Sequence, residues 1–335
     1  MASGPKIGRS VKRSINHDRI YLNFLGIRID ETMQVKSTSF HTLSADRGLN
    51  RLEQSLWLFY NRLNNLVFPN ASGSLSIRDF VVDLSDNCWN QTYPESSPSR
   101  KLSDLFWMQL PWDAIQAELG QICVLDVGCG SGDYFPRLQM FSGHRITSYK
   151  GIDIAPNENW DVLKKKYTTV EFQKLNSKDV RASIPQNTNF IISQSAVEHF
   201  EQDVTFFEQI RTFIQQASKN VIQIHLLPSS ACFRLYGFHG VRQYTPRSLS
   251  ILAKPFQKFS SAVVYRLGGD ECNRLHWDFI TQPSLTGKPD MRNTETQRYD
   301  RELREAIGID NQQPHSNPGF YALVIHSNHH KIIFK

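Results

Sequence analysis

Three glycines spaced two apart, Gly128, Gly130 and Gly132, follow directly on an apolar run, Ile122 to Val127, in a chain of 335 residues. An apolar strand, then a glycine-rich turn, then a helix is the order found at the ligand-binding edge of an open α/β sheet. Glycine suits the turn because the backbone bends sharply and approaches a ligand with no Cβ in the way. The next segment, Asp133 to Phe141, can open a helix, since Pro136 is tolerated in a first turn. The spacing G-x-G-x-G departs from the dinucleotide pattern G-x-G-x-x-G, whose helix N-terminus holds a pyrophosphate. Asp126 adds a carboxylate just before the loop, which repels a phosphate and welcomes a cation.

Around this stretch the chain alternates between strand and helix signals. Strands are expected at 121–127, 148–154, 170–175, 188–193, 220–227, 259–267 and 320–325. A strongly amphipathic helix is expected over 203–217, with Phe206, Phe207, Ile210, Phe213 and Ile214 on one side. Thr245 reads as an N-cap before Pro246. Upstream, Leu49, Leu52, Leu56, Phe59 and Leu63 recur at three and four residues, which predicts a helix over 46–66 with that stripe in a core. Residues 75–84 read as a further strand and 86–104, with Pro94 and Pro98, as a loop. One or two short helices follow over 105–119. Alternating strands and helices imply a mostly parallel sheet covered on both faces.

The stretch Val124-Leu-Asp-Val-Gly-Cys-Gly-Ser-Gly-Asp-Tyr134 resembles motif I of the class I S-adenosylmethionine (SAM)-dependent methyltransferases, whose cofactor carries an ammonium and a sulfonium and no phosphate. The resemblance covers about residues 121–265 and the last strand. It implies an α/β fold with a seven-stranded mostly parallel sheet, the seventh strand running antiparallel between the fifth and sixth. Residues 121–335 then form the SAM-binding domain, 1–120 a helical N-terminal extension or cap, and 268–319 an insertion between strands six and seven that helps to choose the acceptor. A helix is expected in that insertion over 294–307.

The resemblance also implies roles for residues. Asp126, Gly128, Cys129, Gly130 and Gly132 would lie under the amino-acid part of SAM. Asp153 ends the second strand, where a carboxylate accepts from both ribose hydroxyls, as it does in NAD enzymes. Ile154 follows it. Asn176 and Ser177 stand where the family often has an acid for the adenine amino group. Gln194 lies in the segment after the fourth strand, Ser193-Gln-Ser-Ala-Val-Glu-His-Phe200, which resembles the V-L-E-H segment of small-molecule O-methyltransferases beside the transferred methyl. Glu198 and His199 match it; Ser195 stands where the metal-assisted members have an acid. No metal is therefore expected, and a divalent ion held by Glu198, His199 and His225 is the minor alternative. His199 is the first candidate for a base and His225, after the fifth strand and expected to face the same cleft, the second, with Glu198 orienting either; packing and capping roles are the bland reading of each. Tyr236 and His239 lie in a loop, 233–244, of the kind that carries acceptor contacts. Arg274-Leu-His-Trp-Asp278 could line a pocket or cement the insertion.

Composition narrows the function. The net charge is +6, of which residues 1–30 supply +4 through six Lys and Arg against two Asp. The rest of the chain is nearly neutral, which disfavours a nucleic-acid substrate. A solvated basic tail is expected, though its acid-poor make-up also fits a transit peptide. No apolar run is long enough to cross a bilayer. Five cysteines without metal spacing suggest free thiols in a reducing, cytoplasmic setting. The expectation is a SAM-dependent methyltransferase with a small-molecule or glycan-type acceptor, at oxygen. The alternatives are an NAD(P)-dependent oxidoreductase, a catalytically silent SAM-fold binding protein and an RNA methyltransferase guided by the tail. Nothing fixes the oligomeric state.

Overall fold

In the chain's first described element, helix α1 (Arg51–Val67), the sequence pattern and the buried face disagree. Trp57 and Asn61 are fully buried, whereas Leu52 and Phe59 of the leucine stripe are 70% and 52% exposed. The stripe is therefore not the face that packs; Trp57 is, stacked on Phe233 with ring centroids 5.8 Å apart. The computed structural model describes residues 49–334, apart from 68–69, 72–74, 176–178, 237–239 and 241. All of them belong to the unit spanning residues 35–335. The basic tail, Asn176, Ser177 and His239 lie outside the described residues.

Next come β1 (Ser76–Asp79), α2 (Pro98–Met108) and α3 (Trp112–Leu119). Helix α2 starts inside the stretch expected to be loop. Ser97 caps it, its hydroxyl accepting from Arg100 N, and Pro98 occupies the first turn. The serine and proline that read as loop signals are the start of a helix, where a proline loses no hydrogen bond. The segment then earns its place through burial: Leu102, Leu105, Phe106 and Trp107 are at most 1% exposed. Each such side chain contributes about 1.5–3 kcal/mol by leaving water, as an upper estimate.

From there the alternation holds: β2 (Ile122–Val127), α4 (Tyr134–Phe141), β3 (Ile146–Asp153), α5 (Asn159–Lys166), β4 (Val170–Lys174), β5 (Phe190–Gln194), α6 (Asp203–Ala217), β6 (Val221–Pro228), α7 (Pro246–Ala253), β7 (Ser260–Leu267), α8 (Asp270–His276), α9 (Thr296–Asp310) and β8 (Phe320–Ser327). Thr245 caps α7 in a reciprocal capping box with Ser248. Each of the seven strands expected from residue 121 onward is present within about two residues, whereas the strand expected over 75–84 is cut to the four residues of β1.

The sheet order is β1-β7-β8-β6-β5-β2-β3-β4. All neighbours are parallel except β8, which runs antiparallel to both β6 and β7. The sheet has eight strands rather than the expected seven, because β1 from the N-terminal extension adds to the free edge of β7. One face is covered by α2, α3, α4 and α9, the other by α6 and α7. The insertion leaves β7 and rejoins β8 at the carboxyl edge of the parallel strands, the edge that also carries the glycine loop after β2. Extension and insertion are joined there: Lys101 meets Asp300 at 2.9 Å, Trp89 Nε1 donates to Asp300, Tyr299 donates to Ser96 O, and Asn311 bonds both backbone groups of Val82.

Candidate active site

The chain reverses direction across the sheet at β2: β3 and β4 lie on one side of it, β5 and β6 on the other. Crevices at the carboxyl ends of strands at such a switch point are where open α/β sheets hold ligands. Glycines 128, 130 and 132 turn there with φ of +77°, +53° and +79°. Gly128 has a second reason to be glycine, since a Cβ would come within 2.4 Å of Ala196 Cβ from the loop after β5. At Gly130 a Cβ would meet nothing within 4 Å, so the space over the loop is open for a ligand's close approach.

Asp153 ends β3 beside this loop. Its Oδ2 accepts from Gly130 N at 2.8 Å and its Oδ1 from Ala155 N at 3.1 Å. The side chain of Ile154 next to it is 76% exposed, an apolar surface with no cover among the described residues. Asp126, by contrast, is 3% exposed, and the Tyr149 hydroxyl donates to its Oδ2 at 2.6 Å. Burial pushes its carboxyl up to about 7, against the Tyr149 bond and with a small push from Asp153. Cys129 is buried, which raises its thiol far above the usual range. It is a packing group under Gly151, where a Cβ would fall 2.8 Å from its sulfur. Asp126 therefore supports the loop from beneath, and Asp153 is the carboxylate at its open rim.

Gln194 ends β5 across the crevice, with its Oε1 accepting from Trp107 Nε1 at 3.0 Å. Ser195 follows with φ +50°, a conformation that L side chains rarely adopt, so the chain leaves the strand in a strained turn. A 3-10 turn, Val197–His199, comes next. It buries Glu198 completely and leaves the His199 side chain 33% exposed, with Nε2 3.9 Å from Glu198 Oε1. Behind it, Arg242 and Asp203 form a buried ion pair at 3.3 Å, and Arg242 donates to the carbonyls of Phe200 and Glu201. That pair fixes the far end of the turn.

His225 is the clearest correction. It stands inside β6, which runs on to Pro228, paired with Ser193 of β5 and fully buried. Its Nδ1 is 2.8 Å from Ser193 Oγ, and Phe206 and Phe207 of α6 pack edge-on against its ring. Burial pulls its pKa down to about 3. It faces the helix α6 side of the sheet and not the crevice, because residue 225 lies within the strand and alternation sends it to the face that α6 covers. Glu198 therefore has His199 beside it and not His225. Among the described residues no three His, Cys, Asp or Glu side chains converge as a metal site.

The structure adds residues that the sequence does not reveal. Asp104 of α2 is buried, accepts from Tyr134 OH at 3.2 Å and pairs with Arg137. Burial raises its carboxyl to about 6, opposed by Arg137 and Arg100. Tyr134 ends the glycine motif and its ring lies 6.3 Å from that of Trp107, so α2 forms a wall of the crevice. Trp160 Nε1 donates to Gly130 O at 2.8 Å and anchors the loop from α5. Partners 30 to 87 residues apart leave no local signal in the sequence.

No protein-family model matches this chain, and no curated protein matches it in sequence. Solved structures resemble it distantly. The plantazolicin methyltransferase BamL in complex with a triazolic desmethylPZN analog and SAH aligns at 14% identity over 70% of this chain and 98% of its own, with a TM-score of 0.35. Phosphoethanolamine N-methyltransferase 2 of Haemonchus contortus, in complex with S-adenosyl-L-methionine, aligns at 16% identity over 68% and 57%, with a TM-score of 0.38. A SAM dependent methyltransferase from Aquifex aeolicus aligns at 17% over 49% and 87%, with a TM-score of 0.29.

Proposed function

We propose that this chain is a class I SAM-dependent methyltransferase whose acceptor is a small molecule or glycan-type compound, methylated at oxygen. The observation that carries the reading is the pairing of an open glycine loop with the strand-end Asp153 at the sheet's switch point. Bound SAM supplies a methyl group activated by the sulfonium. Asp153 would hold the ribose hydroxyls, Ile154 the flank of the adenine, and Gly130 the open floor. Asp126 would face the methionine ammonium, and Gln194 the space between cofactor and acceptor. Asn176 and Ser177 are the sequence's choice for the adenine edge. His199, part-exposed beside Glu198, would take an acceptor proton. Rate comes chiefly from holding nucleophile and methyl in line.

A nicotinamide dinucleotide fits less well. Gly130 N, which would cradle a pyrophosphate, is already given to Asp153, and Asp126, Asp133 and Asp153 set three carboxylates around the loop.

The test is calorimetry with SAM and S-adenosylhomocysteine. Wild type should bind both. Loss of a buried, charge-assisted hydrogen bond costs about 1.5–3 kcal/mol, so Asp153→Ala should weaken SAM roughly tenfold or more. No binding by wild type, or equal affinity in the variant, overturns the reading.

A further inference from the structure

Arg100 stands in the first turn of α2, and the functional reading leaves it without a task. Residues 100, 104 and 107 follow one another at i, i+4 and i+7, so they share one face of the helix. That face looks into the crevice. Trp107 donates to Gln194, Asp104 meets Tyr134, and nearer the helix start the Arg100 guanidinium lies over the Tyr134 ring, 5.7 Å from its centroid. The same turn of α2 touches the loop after β6, where Tyr236 OH lies 3.2 Å from Ser99 Oγ. Arg100 and Tyr134 are both half-buried, so each keeps a surface that a ligand in the crevice can reach.

The neighbouring cations are matched. Arg137 is paired with Asp104 and lies over the Tyr93 ring, Lys101 is paired with Asp300, and Arg242 with Asp203. Among the described residues no carboxylate pairs with the Arg100 guanidinium. Asp104 is one turn away, but its Oδ2 is held by Arg137 and its Oδ1 by the Tyr134 hydroxyl, so two guanidinium groups share one carboxylate.

That surplus positive charge sits over Tyr134, the residue that closes the glycine motif, and the rim of the motif is acidic. Asp133 follows Gly132, and Asp153 holds Gly130 N. Acidic groups suit the ammonium and the ribose hydroxyls of SAM and repel its methionine carboxylate. A carboxylate brought to such a rim needs a cation beside it, and a guanidinium offers its N–H groups in a fork that matches the two oxygens.

Resting on the methyltransferase reading, we propose that Arg100 binds the methionine carboxylate of SAM and so selects SAM over a sulfonium nucleoside that lacks this group.

The test is calorimetry on the full chain with SAM and with decarboxylated SAM, which keeps the sulfonium, the ammonium and the nucleoside. Wild type should bind SAM more tightly than decarboxylated SAM. Arg100→Met keeps an unbranched stem over Tyr134 and removes the charge. It should weaken SAM roughly tenfold and leave decarboxylated SAM bound no more weakly than by wild type. The sign of the change separates pairing from a field effect. SAM carries two cationic groups and one anionic group, so a guanidinium acting only through space would repel it, and removing that guanidinium would tighten both ligands. Arg100→Lys keeps the charge without the fork and should recover part of the loss. Asp153→Ala, which removes the ribose contact, should weaken both ligands alike. Equal or tighter SAM binding by Arg100→Met, or a parallel loss of both ligands in that variant, would overturn the inference, while SAM binding by wild type would leave the methyltransferase reading standing. Absence of SAM binding by wild type would overturn that reading and this inference with it.

Discussion

Asp126 and Asp153 are carboxylates on neighbouring strands at the same sheet edge, yet their surroundings give them different work. Asp153 is half-buried and already accepts two backbone N–H groups, the arrangement that holds a carboxylate ready for ligand hydroxyls. Asp126 lies beneath the loop with one hydroxyl partner. The same contrast separates the two histidines of the crossover region. His199 is part-exposed beside Glu198 at the crevice, and His225 is sealed under α6. With an acceptor in hand, His199→Gln should lower kcat by about 10²–10⁴, the range supplied by a general base, while SAM affinity changes no more than a few-fold. His225→Gln should instead lower the melting temperature, through the lost Ser193 bond and disturbed packing against Phe207, and leave kcat near wild type in the molecules that fold. A loss of activity in His225→Gln at full stability would return His225 to the catalytic candidates.

Among the elements, α2 does most to assemble the crevice. Its C-terminal end brings Trp107 to Gln194 and Asp104 to Tyr134, and its first turns tie the extension to α9 through Lys101. Lys101 is fully buried, with Thr92 Oγ1 at 2.8 Å, Asp300 at 2.9 Å and the Trp89 ring at 4.2 Å. Burial lowers its pKa, opposed by Asp300. Breaking such a pair from one side leaves an uncompensated charge and costs on the order of 3 kcal/mol. Asp300 retains a quarter of its exposure, so Lys101→Met should fall somewhat below that. Adding Asp300→Leu to Lys101→Met should restore part of the loss. Urea midpoints of the single and double variants measure the coupling, and simple additivity would show that the two residues do not act as a pair.

At the scale of the whole molecule, buried titratable groups pull in opposite directions. Burial holds His225, His276 and His326 neutral down to about 3, 4 and 4. Between pH 4 and 6.5 the unfolded chain therefore binds more protons at these sites, and stability falls as pH falls. Asp104 and Asp126 keep their protons up to about 6 and 7, so the folded state binds more there and stability falls as pH rises from about 4. Three histidines against two carboxyls leave a slope of about one proton between pH 4 and 6. The ligand-free protein should show a melting temperature that rises gently over that interval. Asp126→Asn removes one opposing group and should steepen the slope to about two protons by scanning calorimetry. An unchanged slope would mean that Asp126 is ionised in the folded protein. No described helix is long and apolar enough to cross a membrane.

The sequence by itself determined the alternation of strands and helices from residue 121 onward, because runs such as Ile122 to Val127 and the stripe of 203–217 are local and strongly periodic. It also located the glycine loop, whose positive φ values only glycine adopts freely, and the carboxylate at the end of β3. Tertiary structure decided the rest. It set the length and place of β1: the pattern marks a strand over 75–84, and only the four residues paired with the edge of β7 form one. It turned α1 so that Trp57 and Asn61 face inward, a choice made by the surface that α1 meets and not by its own leucines. It laid α6 over the odd-numbered face of β6 and so buried His225, which its place near the strand's end had assigned to the crevice. And it brought Asp104 to Tyr134, Trp107 to Gln194 and Thr281 to His276, where hydrogen bonds between distant or newly facing side chains, not local propensity, set what each group can do.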